Sequence, residues 1–406
     1  MSWATRAFFL LVASLAIAGV VSGAACTRRG TSTPIPPTST PLSTLNVNPK
    51  SGSDTTGDGS ATKPYKTLTK AIAVVKNSTI QGLAIQLAIG NYNVASGEKF
   101  PIVVPTGVTI MGTGYGTGFA KGSYINGEGE DTALEKLLGI PAGTAFATLE
   151  IAANVSSVAV NNVYVGSSHL PFASNLAYAA LDAIGSTSAS HTTFAADTPF
   201  TTHPRVVGIL VPSGGVDCTG CVIFGGDRAL VAFSIPGASA PVVALGGQPT
   251  QGVILGKIGI ATDGTASVNA SFQSFQSKQF GYQDSVTPLS TPSASFSPGT
   301  VDFGNGPTLS PGGNSFVGTV ISEVSVTVPL ALVYAQGDYW NPNTQGANQH
   351  GQYPKRFVFN PGARGLNVTI APGAGGAGVI VGPIPPPTPT PIPTGSPTTS
   401  PSPSPT

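Results

Sequence analysis

Chemistry in this chain has to come from few side chains: among 406 residues there are 17 Asp and Glu, 18 Lys and Arg, four His and three Cys. Asp54 and Asp58 lie in a glycine-rich stretch, Gly52-Ser-Asp54 and Gly57-Asp58-Gly59. Two carboxylates at that spacing could share a Ca²⁺ ion through oxygen ligands. Alternatively they make turns, since Asp bonds its own backbone and Gly accepts positive φ. His169, His191 and His203 fall between Gly166 and Arg205 together with Asp182 and Asp197. His with Asp can bind metal or move a proton, but these histidines lack ligand spacing, and a plain surface loop is the competing reading. Tyr339-Trp-Asn-Pro-Asn-Thr-Gln345, followed by Tyr353, sets flat rings beside amides. Rings cover the apolar face of a sugar while amides bond its hydroxyls, so Tyr339, Trp340 and Tyr353 are candidate glycan contacts. The alternative is that Trp340 is buried as a cap.

Cys218-Thr-Gly-Cys221 has redox spacing without the helical context that lowers a thiol pKa. A disulfide across the Thr219-Gly220 turn, or two inert buried thiols, fits better. Glycoside cleavage needs two carboxyl groups flanking one bond. From Glu150 to Gly382 the carboxylates stand singly in sequence, so no catalytic residue is assigned. Residues one structural repeat apart can still meet on one face.

The N-terminus predicts export. Arg6 alone precedes an apolar run from Ala7 to Val21, and Ser22, Gly23, Ala24 and Ala25 lead directly to Cys26. This is the order of a secretory signal peptide, residues 1–25. The exit resembles the lipobox of bacterial lipoproteins, which implies that Cys26 becomes the acylated first residue and ties the chain to a membrane. Gly23 departs from the branched aliphatic usual in such boxes. Cleavage nearby without acylation, or an uncleaved anchor, are the alternatives. Lipidating Cys26 also accounts for an odd cysteine count in an exported chain. Residues 26–44 and 383–406 are rich in Thr, Ser and Pro. Such segments bury too little apolar surface to order themselves, so they read as a spacer and a tail around one body, residues 45–382.

Only 9% of residues are charged and the net charge is +1, which leaves no electrostatic footprint for nucleic acid. With 40% apolar residues, 52 Gly and 37 Pro, the chain is ordered and turns often. Short runs rich in Val and Ile, bounded by turn residues, predict strands throughout. Leu68, Ala71, Ile72 and Val75 share one face at helical spacing, which predicts a helix from about Thr67 to Lys76. A helix followed by short glycine-broken strands is not the alternation of a doubly wound fold.

Several motifs together resemble a known family: Gly52-Ser-Asp54, Gly57-Asp58-Gly59, Pro64-Tyr-Lys-Thr-Leu68, Ile85 to Ile89, Gly90-Asn-Tyr92 and Gly107-Val-Thr-Ile-Met-Gly112. They look like the start of a bacterial domain of unknown function within the pectate-lyase-like superfamily. Asp302-Phe-Gly-Asn-Gly306, Gly313-Asn-Ser-Phe316 and Val333-Tyr-Ala-Gln-Gly-Asp-Tyr-Trp340 resemble its late coils, with Asp338 in place of the usual Asn. The resemblance implies an all-β fold, a right-handed parallel β-helix (a solenoid) with an N-terminal capping helix. Gly208-Ile-Leu-Val211 and Ala229-Leu-Val-Ala-Phe233 sit 21 residues apart, near one coil of such a stack. Two function classes follow. One is a lipid-anchored cell-surface module that binds polysaccharide or serves structurally; the other is a polysaccharide-processing lyase or glycoside hydrolase, which fold alone does not establish.

Overall fold

The computed structural model describes residues 44–77, 82–114, 121–167, 176–196, 206–235, 237–247, 251–263, 265–284, 299–304, 307–316, 322–326, 332–335, 338, 368–370 and 378–380. Its strands run parallel and wind into a three-faced solenoid, a right-handed parallel β-helix. One turn of the winding shows the plan. Ser186–Ser190 lies on a first face, Thr193–Ala196 on a second and Val206–Val211 on a third. Gly215–Thr219, Val222–Phe224 and Arg228–Ala232 then repeat the path directly alongside. Among the described residues the first face is an 11-stranded sheet; a second sheet of 16 strands folds around the other two faces. Gly252–Thr262 and Gln273–Asp284 pass from the second face to the third without a break, with a register irregularity between Gly256 and Ile258.

Register explains the core. In-line neighbours from successive coils stack like residues on like, because the side-chain period of two keeps one row inside on every strand. Val160, Ala189, Cys218, Leu245 and Ala270 form the inner row of the first face. Val165, Phe194, Ile223, Ile254, Phe275 and Phe316 form that of the second. Leu149, Leu181, Ile209, Leu230, Ile260 and Tyr282 form that of the third. Phe275 and Phe316 stack with ring centroids 4.4 Å apart. Each buried Val, Leu or Ile contributes about 1.5–3 kcal/mol of transfer free energy, and no coil closes this core alone.

The corner between the first and second faces is tight and uses left-handed backbone. Asn162, His191, Gly220 and Phe272 take φ of 56°, 49°, 61° and 55° there. The amides of Asn162, His191 and Gly220 each donate to a carbonyl of the following coil, Ser190, Thr219 and Gly246. His191 is thus a corner residue.

The expected helix, α1, spans Leu68–Lys76. Thr67 accepts from the Lys70 amide as N-cap, and the buried face is Leu68, Ala71, Ile72 and Val75. It packs against the first two strands of the first face, Thr44–Val47 and Ala84–Leu87.

Two features depart from expectation. The stretch Gly166–Arg205 was expected to be one long loop, yet it contains the strands Ala177–Ala183, Ser186–Ser190 and Thr193–Ala196. Their Ala and Ser content hides them from a search for Val- and Ile-rich runs, while parallel neighbours supply the pairing. The second is a short helix, α2, Thr132–Leu138, within a flap formed by residues 127–144. Asp131 caps its start and Gly139, at φ 64°, ends it. Gly129–Glu130 pairs antiparallel with Phe146 and Ala147 at the beginning of a third-face strand, Ala145–Ile151. Leu134 and Leu138 lie against Ala179, Val207 and Leu210 on the outer side of that face, making a second apolar cluster outside the solenoid.

Candidate functional site

Under this flap, three carboxyl groups meet. Leu149 and Ile151 point into the solenoid, so Glu150 between them points out; Asp182 does so between Leu181 and Ala183. Glu150 and Asp182 are in register on adjacent strands, which sets their backbones about 4.8 Å apart. Asp131, at the start of α2, brings the third carboxyl from the flap side. Its Oδ1 accepts from the Leu134 amide at 2.9 Å. Although they face outward, Asp131 and Asp182 have no exposed surface and Glu150 only 6%, because the flap covers them.

The cluster is short of donors. Neither oxygen of Asp182 and not Oδ2 of Asp131 meets an N–H or O–H group. The Asp131 and Asp182 carboxyls instead face each other. Two carboxyls so placed bond only while a proton lies between them. Burial pushes Asp182 well up, and the charges of Asp131 and Glu150 add to it. Burial likewise raises Asp131 despite the Leu134 hydrogen bond. Glu150 is pushed up to about 7 by burial and by the Asp131 charge, with Lys76 pulling back. All three shifts run toward the protonated form, the direction a general acid requires. Beside it, Thr148 Oγ1 donates to the Gly127 carbonyl at 2.5 Å and meets the Tyr178 hydroxyl at 2.6 Å.

No pairing of this kind was expected from sequence. The acids came within reach by topology: Glu150 and Asp182 are one coil apart, and Asp131 returns through the flap. A signal existed in Gly127-Glu-Gly-Glu-Asp131, followed by Glu135, the densest acidic stretch of a charge-poor chain. It lies just ahead of Glu150, from which the carboxylates stand singly in sequence.

The residues singled out in sequence have other places. Asp54 accepts from the amides of Lys66 and Thr67 through Oδ1, at 2.8 and 3.0 Å, and from Thr67 Oγ1 through Oδ2 at 2.7 Å. Asp58 accepts from the Ser60 amide at 2.9 Å in an Asx-turn, and its Ser60 hydrogen bonds hold it below its ordinary value. Both oxygens of Asp54 are thus engaged by the chain, and the two residues act as turn and cap acceptors. Among the described residues no group of three His, Cys, Asp or Glu could hold a metal ion. Cys218 and Cys221 are free, buried thiols. Cys221 Sγ contacts the Ala189 carbonyl oxygen at 3.7 Å, and a hydrogen bond to Cys221 together with burial drives the Cys218 thiol well up. Cys26, Tyr339, Trp340 and Tyr353, with His169, Asp197 and His203, lie outside the described residues.

Fold and cluster together define a parallel β-helix protein with one flap-covered acidic site on its third face. Residues 50–167, which include the flap and two of the three carboxyls, match the family described as "Protein of unknown function (DUF1565)". No curated protein matches the chain. Among solved structures, it is similar to pectin methylesterase PemA from Erwinia chrysanthemi, at 15% identity over 70% of this chain and 78% of that one, TM-score 0.32. It is also similar to the GH136 lacto-N-biosidase from Eubacterium ramulus, at 9% identity over 74% of this chain and 65% of that one, TM-score 0.31. A rhamnogalacturonan lyase matches at 12% identity over 84% of this chain and 85% of that one, TM-score 0.27. The chain spans just under two thirds of the biosidase.

Proposed function

We propose that the protein is an exported, lipid-anchored β-helix module that engages polysaccharide at the cell surface, with the acidic site of the third face as its point of contact. The observation that carries this reading is the convergence of Asp131, Glu150 and Asp182 in a body where charges are otherwise sparse. Carboxyl groups accept from sugar hydroxyls and, half protonated, also donate to them. Neither described ion pair involves this cluster, so it suits neutral glycans and repels uronates. Tyr339, Trp340 and Tyr353 would add stacking contacts. Export and anchoring rest on the apolar run ending at Cys26.

A second reading, glycan cleavage, is favoured by one observation: Glu150, pushed up to about 7, lies in register with Asp182, which burial also pushes up. Two such groups are what glycoside hydrolysis needs. One screen separates the readings. The purified body is passed over columns of neutral and acidic polysaccharides, and the eluates are assayed for new reducing ends. Binding alone predicts retention on a neutral glycan without product, weakened by Glu150→Gln and by Trp340→Ala with melting unchanged. Product formation lost in Glu150→Gln would establish cleavage. No retention on any glycan would overturn both readings. Anchoring is checked separately: in a bacterial host fed labelled fatty acid, wild type should take up label and Cys26→Ser should not.

A further inference from the structure

The flap is built as a unit. Glu130 Oε1 accepts from the Gly143 amide at 2.9 Å, and Glu135 Oε1 from the Thr144 and Ala145 amides at 2.8 and 3.0 Å, so its loop is closed by its own side chains. Its polar ties to the rest of the molecule include the short antiparallel pairing with Phe146 and Ala147, and backbone hydrogen bonds of Gly127 with Gly166, Asp131 with Ala145 and Thr144 with Ala177. The Thr148 hydroxyl on the Gly127 carbonyl, a contact between Glu128 and Ser167, and the Asp131–Asp182 carboxyl pair add to them. That last tie is unlike the others, since it exists only while a proton lies between the two groups. Removing the proton turns a hydrogen bond into repulsion between two buried charges, with no donor to screen Asp182.

We infer that residues 127–144 form a proton-latched flap, closed over Glu150 and Asp182 while the Asp131–Asp182 pair keeps its proton and loosened when that proton leaves to solvent. This deepens the reading of the cluster as a ligand site, because a sealed site needs a way to open. The charged neighbours all push one way except one. Asp182 is faced by Asp131 from the flap and by Glu150 from the adjacent strand, and Glu135 adds its charge to Asp131 from α2. On the other side of Asp182 in register lies Leu210, which is apolar. Lys76 acts on Glu150. Burial raises Asp131 and Asp182 and carries Glu150 to about 7. The latch is therefore set at low pH and released as pH rises.

Hydrogen–deuterium exchange on the whole protein without ligand tests this, with labelling times scaled for intrinsic exchange. Between about pH 5.5 and about pH 8.5, protection of residues 127–144 relative to the strand Val206–Val211 should fall by about tenfold or more. Asp182→Asn replaces the proton-sharing partner by a permanent donor and should keep the flap protected at both pH values. Asp131→Asn, which retains an N-cap oxygen, should do the same and serves if the first variant folds poorly. Unchanged wild-type protection, or the same loss in both variants, would overturn the latch. Because no glycan is present, the result stands apart from the ligand reading. A pH-dependent flap without glycan retention would count against the site, and retention with a rigid flap against the latch.

Discussion

Two regions of this molecule place a carboxylate at the start of a helix, and they treat it in opposite ways. At α1, Glu98 accepts from the Leu68 amide at 2.6 Å, the Thr69 amide at 2.8 Å and Thr69 Oγ1 at 2.7 Å, while Asp54 serves Lys66 and Thr67 alongside. At α2, Asp131 serves one amide and turns its other oxygen toward Asp182, which has no donor at all. Both regions are buried, so burial alone does not separate them. Supply of donors does. A satisfied carboxylate at a helix N-terminus stabilises orphan amides and the local dipole; an unsatisfied one carries a standing cost that structure alone does not repay. That cost marks the third face, not the N-terminal loop, as the place where function is sought.

The largest expected effect breaks the satisfied side of this comparison. Glu98→Ala leaves the Leu68 and Thr69 amides without their acceptor and should destabilise by about 2–4 kcal/mol in urea denaturation at neutral pH. Asp54 is less buried and should cost less, about 1–2 kcal/mol for Asp54→Ala. If Glu98→Ala proved neutral, donor supply would not be what distinguishes the regions.

Much of the fold was legible because solenoid rows repeat their residue type. The 21-residue spacing on the third face matches observed strands, with Ile209 in register with Leu230. α1 lies where its apolar face predicts, with Thr67 as N-cap. The coil length itself is not constant. Successive partners on the first face, Val158, Thr187, Val216, Val243 and Val268, are 29, 29, 27 and 25 residues apart, since loops between faces differ in length. The strand bearing Asp182 is Ala-rich and lacks the Val and Ile that mark strands such as Val206–Val211. Glu150 and Asp182 are neighbours only through winding, and Asp131 only through a flap whose short helix offers little apolar pattern of its own.

On the unsatisfied side the expected effects are smaller and of opposite sign. Asp182→Asn should stabilise by about 1–3 kcal/mol at pH values where the pair has lost its proton, because it removes a buried charge and gives Asp131 a donor. At lower pH, where the pair keeps its proton, the change should be close to zero.

The measurement that bears most directly on this account is the unfolding free energy of wild type and Asp182→Asn across pH. A carboxyl whose folded pKa is raised contributes stability present below its unfolded value and lost as pH rises through the folded one. For Glu150 that window runs from its ordinary 4.5 to about 7, and Asp131 and Asp182 shift in the same direction. Wild type should therefore lose stability between about pH 5 and about pH 8, and Asp182→Asn should lose clearly less, so that the two curves diverge with pH. Parallel curves, or a wild type that gains stability over this range as paired carboxylates do, would contradict it.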